Sequence, residues 1–184
     1  LPTFKRMEDY EHGSNDLRSQ GGPLKVSMAT DEGPLYDALG DAATELGIPH
    51  NPDYNGVSQE GIVRTQTTIS NGVRMSTARC YLKPIKNRKN LRIETGAHTQ
   101  KVIMEGKRCV GIDYHCKGKT IRAKASKEVI ICTGGVASPQ LLELSGIGQP
   151  ELLRSHGIKI EHELMGVGEH LRDHINAPIK FHMK

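Results

Sequence analysis

Three stretches of this sequence carry groups that could do chemistry. In "ICTGGVASPQLLELSGIG", residues 131 to 148, an apolar run ends on Gly134-Gly135 and a helix pattern follows at once. Such a junction sets backbone N–H groups and the positive end of a helix at the carboxyl edge of a sheet, where open α/β folds bind nucleotides. Without G-x-G-x-x-G spacing, the same pattern also serves as a plain structural turn. In "GVGEHLRDH", residues 166 to 174, His170 and His174 stand four apart with Asp173 between them. That spacing is open to a metal, a hydrogen-bonding pair or a loop lining a substrate cavity, and the flanking glycines and Pro178 argue against a regular helix. Cys132, closing the apolar "VIIC", is expected to be a small buried hydrophobe and His98 a solvated strand residue. In "GVRMST", Arg74 and Ser76 read as a surface charge and a helix cap.

The elements that must position these groups follow from the hydrophobic period. Residues 34 to 46 carry Leu35, Ala38, Leu39, Ala42, Ala43 and Leu46 at helical spacing, so one face of that helix is expected to be core. "PLKVSMA" and "IVRTQTTI" read as strands, and "TARCYL" as a short helix capped by Ser76 and ended by Pro84. "HNPDYNGVSQEG" is turn chemistry, a long loop at the surface or beside a site. From residue 90 to 124 the period becomes two, with "EGK" and "KGK" turns, which predicts an antiparallel meander. A strand over 127–132, covered on both faces, should follow, then a helix over 139–144 with Ser138 as N-cap and Pro139 at its first position. A further helix after Pro150 and a strand in "IKIEHEL" complete the pattern. The fold class is therefore mixed α/β.

Composition bounds the function. The 184 residues are 36% hydrophobic and 25% charged, ordinary for a globular chain. No apolar run approaches the roughly 18 residues of a membrane span. The four cysteines lack the paired spacing of zinc modules or disulfide scaffolds and point to a reducing, cytoplasmic compartment, with or without peripheral attachment to an inner membrane. The densest basic stretch, "KPIKNRKNLR", is either a solvated loop or a phosphate or membrane-surface contact. Aromatics are 4% and none alternates with those basic residues, so no nucleic-acid partner is expected. Leu1 and the leaderless "LPTFKRMEDYEHG" give the reading of a piece from a longer protein.

"GGVASPQLLELSGIG" closely resembles the second signature of the glucose-methanol-choline (GMC) oxidoreductases, departing at Gly135, where that family usually has a small residue such as alanine. "YNGVSQEGI", "GVRMSTARCYL", "NLRIETGAHTQKVIMEGKRCVGIDY" and "GVGEHLRDH" are similar to the same family in the same order, nearest its choline-dehydrogenase-like branch. The resemblance implies a partial FAD-binding, Rossmann-like portion with an inserted meander, residues 76–184, and a bordering part of a substrate portion, residues 1–75. It implies an FAD cofactor, an alcohol substrate, and oxygen or a quinone as electron acceptor. It also implies a dinucleotide fingerprint upstream and a catalytic histidine downstream, so no catalytic residue is assigned here, and the absent N- and C-terminal parts are this chain's partners.

By the same resemblance Thr99 holds the adenine through backbone groups. Cys132, Thr133, Gly134 and Gly135 lie against the adenosine-ribose end, where close approach needs small residues. His174 and Asn176 face the substrate cavity. Choline-acting members place a glutamate where this chain has Asn176, and an amide does not supply the charge that offsets burial of a quaternary cation, so choline is not the expected substrate. Two hypotheses result: part of an FAD-dependent alcohol dehydrogenase or oxidase, inactive in isolation, or a binding or assembly module of the same descent without flavin.

Overall fold

The computed structural model describes residues 1–29 and 33–175. The chain divides into two compact units, Leu1–Arg92 and Ile93–Lys184.

The first unit opens with a short helix α1 (Pro2–Met7) that runs into β1 (Glu8–Tyr10). β2 (Leu24–Met28) lies parallel to β1 and antiparallel to β3 (Gln66–Thr67), giving a three-stranded sheet. β4 (Ile69–Ser70) and β5 (Val73–Arg74) form a hairpin. The expected helix is α2 (Pro34–Glu45), started by Pro34 at the first helical position. Its apolar face is not core: among its residues Ala43 is buried, while Leu35 and Leu39 are more than half exposed. Period alone does not bury a helix; a facing layer must be present. The cap predicted at Ser76 forms, its Oγ accepting the Arg79 N–H at 3.3 Å. The turn it starts is a π-helix, Ala78–Leu82, and Pro84 sits in the 3-10 turn that continues it.

In the second unit the meander is three strands, β6 (His98–Glu105), β7 (Arg108–Cys116) and β8 (Lys119–Lys124), all antiparallel. It begins at His98; residues 90–95, where the two-residue period starts, are turn and irregular chain rather than strand. The 127–132 segment is not a strand: Val129 and Ile131 pack on the core, but Ile130 is 75% exposed and no described strand offers a ladder. α3 (Gly134–Leu144) starts five residues before the predicted position. Ser138 therefore lies inside the helix rather than capping it, and Pro139 removes one internal hydrogen bond. β9 (Ile147–Gly148), α4 (Pro150–Ser155) and β10 (His162–Glu163) follow, β10 pairing with β9 in parallel. Ile158 and Ile160 precede that strand rather than forming one.

The core of this unit joins one face of the meander to α3. Val102, Leu141 and Ile147 are buried together, with Met104, Ile112, Val129 and Ile131 against them. Ser145 locks the contact: its Oγ donates to the Leu141 carbonyl at 2.6 Å and accepts the Val102 N–H at 2.8 Å. One hydroxyl thus satisfies a β6 donor that no strand reaches.

Candidate functional site

The start of α3 is the site to which the sequence points. Gly134 has φ +89°, a conformation a side chain would strain, and nothing lies within 4 Å of where its Cβ would stand. Gly135 is equally open. Thr133 occupies the N-cap position without a side-chain cap; its Oγ1 lies 3.0 Å from Ser138 Oγ instead. The first-turn N–H groups of an eleven-residue helix are thereby left for other partners. Cys132 and Thr133 are exposed beside them, which corrects the expectation that Cys132 is buried: without strand pairing, 127–132 covers one face only.

Gly135 also lines a cavity of about 740 Å³ between α3 and the Gly166–Arg172 segment, together with Val136, Glu143 and His170. Across it Gly168 takes φ +81°, and a Cβ there would come within 2.6 Å of Glu143 Oε1, the movable end of a flexible side chain. Residues 166–175 form turns and extended chain, and His170 itself has φ +58°. The four-residue spacing therefore does not set His170 and His174 on one helical face. His170 lines the cavity, whereas His174 is exposed, its N–H bonded to Asp173 Oδ1 at 2.8 Å. Among the described residues no group of three His, Cys, Asp or Glu side chains could hold a metal. Asn176 lies outside the described residues.

Thr99 stands at the start of β6 opposite Tyr114, just before a bulge between Thr99 and Lys101. It does not line the Gly135 cavity. Four of the predicted contact residues are thus contiguous at the α3 junction, and Thr99 lies on a separate element. His98 is exposed on β6, as its strand reading required.

A second polar cluster, which sequence reasoning missed, lies in the first unit. Arg18 is 3% exposed. Its guanidinium meets Glu8 Oε1 at 2.7 Å and Glu8 Oε2 at 3.2 Å. Its Nη1 donates to Asp53 Oδ1 at 2.9 Å and Gln66 Oε1 at 3.0 Å. The same group stacks 3.8 Å over the Tyr10 ring. Burial, then the Asp53 carboxylate, pushes the Tyr10 phenol above its ordinary pKa. The partners come from 10, 35 and 48 residues away, and no periodic pattern marks such a meeting. The only local hint is Asn15, whose Oδ1 accepts the N–H groups of Leu17 and Arg18 and turns the chain inward.

A family model described as GMC oxidoreductase matches residues 1–176. Over 186 residues the chain is 45% identical to oxygen-dependent choline dehydrogenase 1 of Chromohalobacter salexigens, covering 100% of this chain and 33% of that protein. In structure it is similar to pyridoxine 4-oxidase from Mesorbium loti, with a TM-score of 0.82 and 30% identity over 89% of this chain and 32% of that one. It is also similar to an FAD-dependent oxidoreductase from Chaetomium thermophilum, with a TM-score of 0.82 and 26% identity over 90% of this chain and 31% of the other. The chain therefore spans about a third of the length of the relatives it matches.

Proposed function

Because this chain belongs to the GMC oxidoreductase family, we propose that it forms part of an FAD-dependent oxidoreductase acting on the CH–OH group of an alcohol. The observation that carries the proposal is the start of α3: an uncapped helix end on two glycines with open space above both. A bulky or capped junction would have been unfit for a dinucleotide; this one fits. Bound FAD supplies the hydride acceptor for the alcohol carbon. The chain's own part is binding and orientation. Cys132 and Thr133 border the adenosine half, Gly134 and Gly135 let it approach the backbone, and the first-turn N–H groups face its polar atoms. Thr99 is assigned to the adenine through its backbone, and His174 and Asn176 to the substrate side. No proton-accepting residue is assigned in this chain.

The expectation against choline finds no support. A relative 45% identical over the whole chain is named a choline dehydrogenase, so choline heads the alcohols to be tested. The electron acceptor is oxygen or a quinone; the name of that relative favours oxygen. Among the described residues no helix is long and apolar enough to cross a membrane.

The test is to express the complete reading frame, record flavin absorbance and follow its bleaching without oxygen by choline and a panel of primary alcohols. A yellow protein bleached by at least one of them supports the proposal. Well-folded, colourless protein that ignores added FAD would instead establish the flavin-free assembly module.

A further inference from the structure

The chain carries the same tripeptide twice in its first unit, as Asn55-Gly56-Val57 and as Asn71-Gly72-Val73. Asparagine is thermolabile, and glycine after it leaves the attacking backbone nitrogen without a shielding Cβ. The intrinsic chemistry of the two sites is therefore alike. Both asparagines are exposed, so access to water does not separate them either. What differs is how the fold holds them.

Asn55 is held at each atom that the reaction must move. Its Nδ2, the leaving group, donates to Gln66 Oε1 at 2.9 Å, and its N–H donates to Asp53 Oδ1 at 3.1 Å. The attacking nitrogen, that of Gly56, donates to the Asp53 carbonyl at 2.9 Å. Asp53 and Gln66 in turn accept from the buried Arg18 guanidinium, so freeing Asn55 disturbs a network that is costly to break. Asn71 and Gly72 instead form the two-residue loop between β4 and β5, at φ +50° and +70°, as a type I′ turn requires. Among the described residues neither the Asn71 side-chain amide nor the Gly72 N–H has a hydrogen-bond partner. The hairpin is held by the pairs Ile69–Arg74 and Ser70–Val73, by the Met75 N–H on the Thr68 carbonyl at 2.8 Å and by the Ser27 hydroxyl on the Ile69 carbonyl at 2.8 Å. So short a two-stranded ribbon opens locally at little cost.

We propose that Asn71 is a site of spontaneous, one-way modification, while the fold protects the chemically equivalent Asn55. When the turn opens, the Gly72 backbone nitrogen bonds to Asn71 Cγ, the Cγ–Nδ2 bond breaks, and ammonia leaves with the proton that the Gly72 nitrogen gives up. Water then opens the cyclic imide. Attack at Cγ yields aspartate; attack at the backbone carbonyl yields isoaspartate, in which the main chain runs through Cβ and Cγ. One water enters, one ammonia departs, and nothing is oxidised. Either product places a carboxylate beside a cavity that Asp9, Glu11, Lys25 and Arg64 also line. Isoaspartate adds a main-chain atom to a loop that has two residues, so the Ser70–Val73 pairing is lost with it. The proposal does not rest on the FAD assignment.

The test is to incubate the complete protein in mildly alkaline buffer and follow both tripeptides by peptide mass mapping and enzymatic methylation of isoaspartate. In the folded protein Asn71 should convert about tenfold or more faster than Asn55. In urea, where neither site is held, the two rates should converge. Asn71→Gln should remove the main isoaspartyl signal, and Asn55→Gln should leave it unchanged. Ser27→Ala, which strips the hairpin of its bond to β2, should quicken conversion at Asn71 about fivefold, with an unchanged far-UV spectrum showing that the variant folds. Folded protein in which Asn55 converts as fast as Asn71 overturns the proposal. So does an Asn71 that converts in urea alone, or a difference between the sites that persists in urea and so does not come from the fold.

Discussion

The two polar centres of this chain are built in opposite ways. Around Arg18 the charged groups are partnered: both Glu8 oxygens, Asp53, Gln66 and the Tyr10 ring enclose one guanidinium. At the start of α3 no side chain caps the helix and two adjacent glycines face open space. A buried charge with all its partners in the chain is an anchor, because burial is tolerated only when hydrogen bonds replace water. A helix end left uncapped beside a cavity is available to a ligand. Satisfaction, rather than charge, separates the structural centre from the candidate functional one.

The largest effect that could break this contrast is at Arg18. Replacing it by alanine leaves Glu8 and Asp53 half-buried and facing each other without a cation, which should cost about 3–5 kcal/mol. Urea unfolding of the first unit measures it. If Arg18→Ala kept stability and instead removed FAD, the roles given to the two centres would be exchanged. Next is Ser145→Ala, which strips the buried Val102 N–H of its acceptor at a cost of about 1–3 kcal/mol. Hydrogen exchange at Val102 should quicken with it, because that amide has no strand partner to fall back on.

Gly135→Leu tests the other side. Nothing lies within 4 Å of the added Cβ, and a helical position gains propensity on losing glycine, so stability should hold or rise by about 0.5 kcal/mol. FAD affinity should fall tenfold or more, a loss of about 1.4 kcal/mol, read by flavin fluorescence on titration. A destabilised variant with unchanged affinity would make the glycine pair a purely structural turn.

What was legible in the sequence divides along the same line. Local signals were readable: the two-residue alternation and "EGK" turn gave β6 and β7, and Pro34 placed the start of α2. The α3 start was misread because Ser138-Pro139 is a stronger capping signature than Thr133-Gly134, yet the chain turns where glycine permits φ +89°. The unbroken run "VIIC" suggested a strand, but a strand needs neighbours, and period says nothing of them. Arg18 was invisible for a related reason: its partners are remote, and a lone arginine among polar residues reads as solvated. The glycine junction could be found because its chemistry belongs to the backbone of consecutive residues.

The smallest effect is alkaline and belongs to the satisfied centre. The Tyr10 phenol is buried and faces Asp53, so its folded pKa is raised above the unfolded one. Below about pH 10 the phenol is neutral in both states and that contribution is fully present. As pH climbs through the unfolded value toward the folded one, the unfolded chain releases its proton first, and stability is lost over that interval. The urea midpoint of the first unit should therefore fall more steeply above pH 10 in the wild type than in Tyr10→Phe, which keeps the ring under Arg18 but has no proton to lose. Parallel slopes would mean that ionised Tyr10 is tolerated, with the Arg18 guanidinium 3.8 Å above its ring compensating for Asp53.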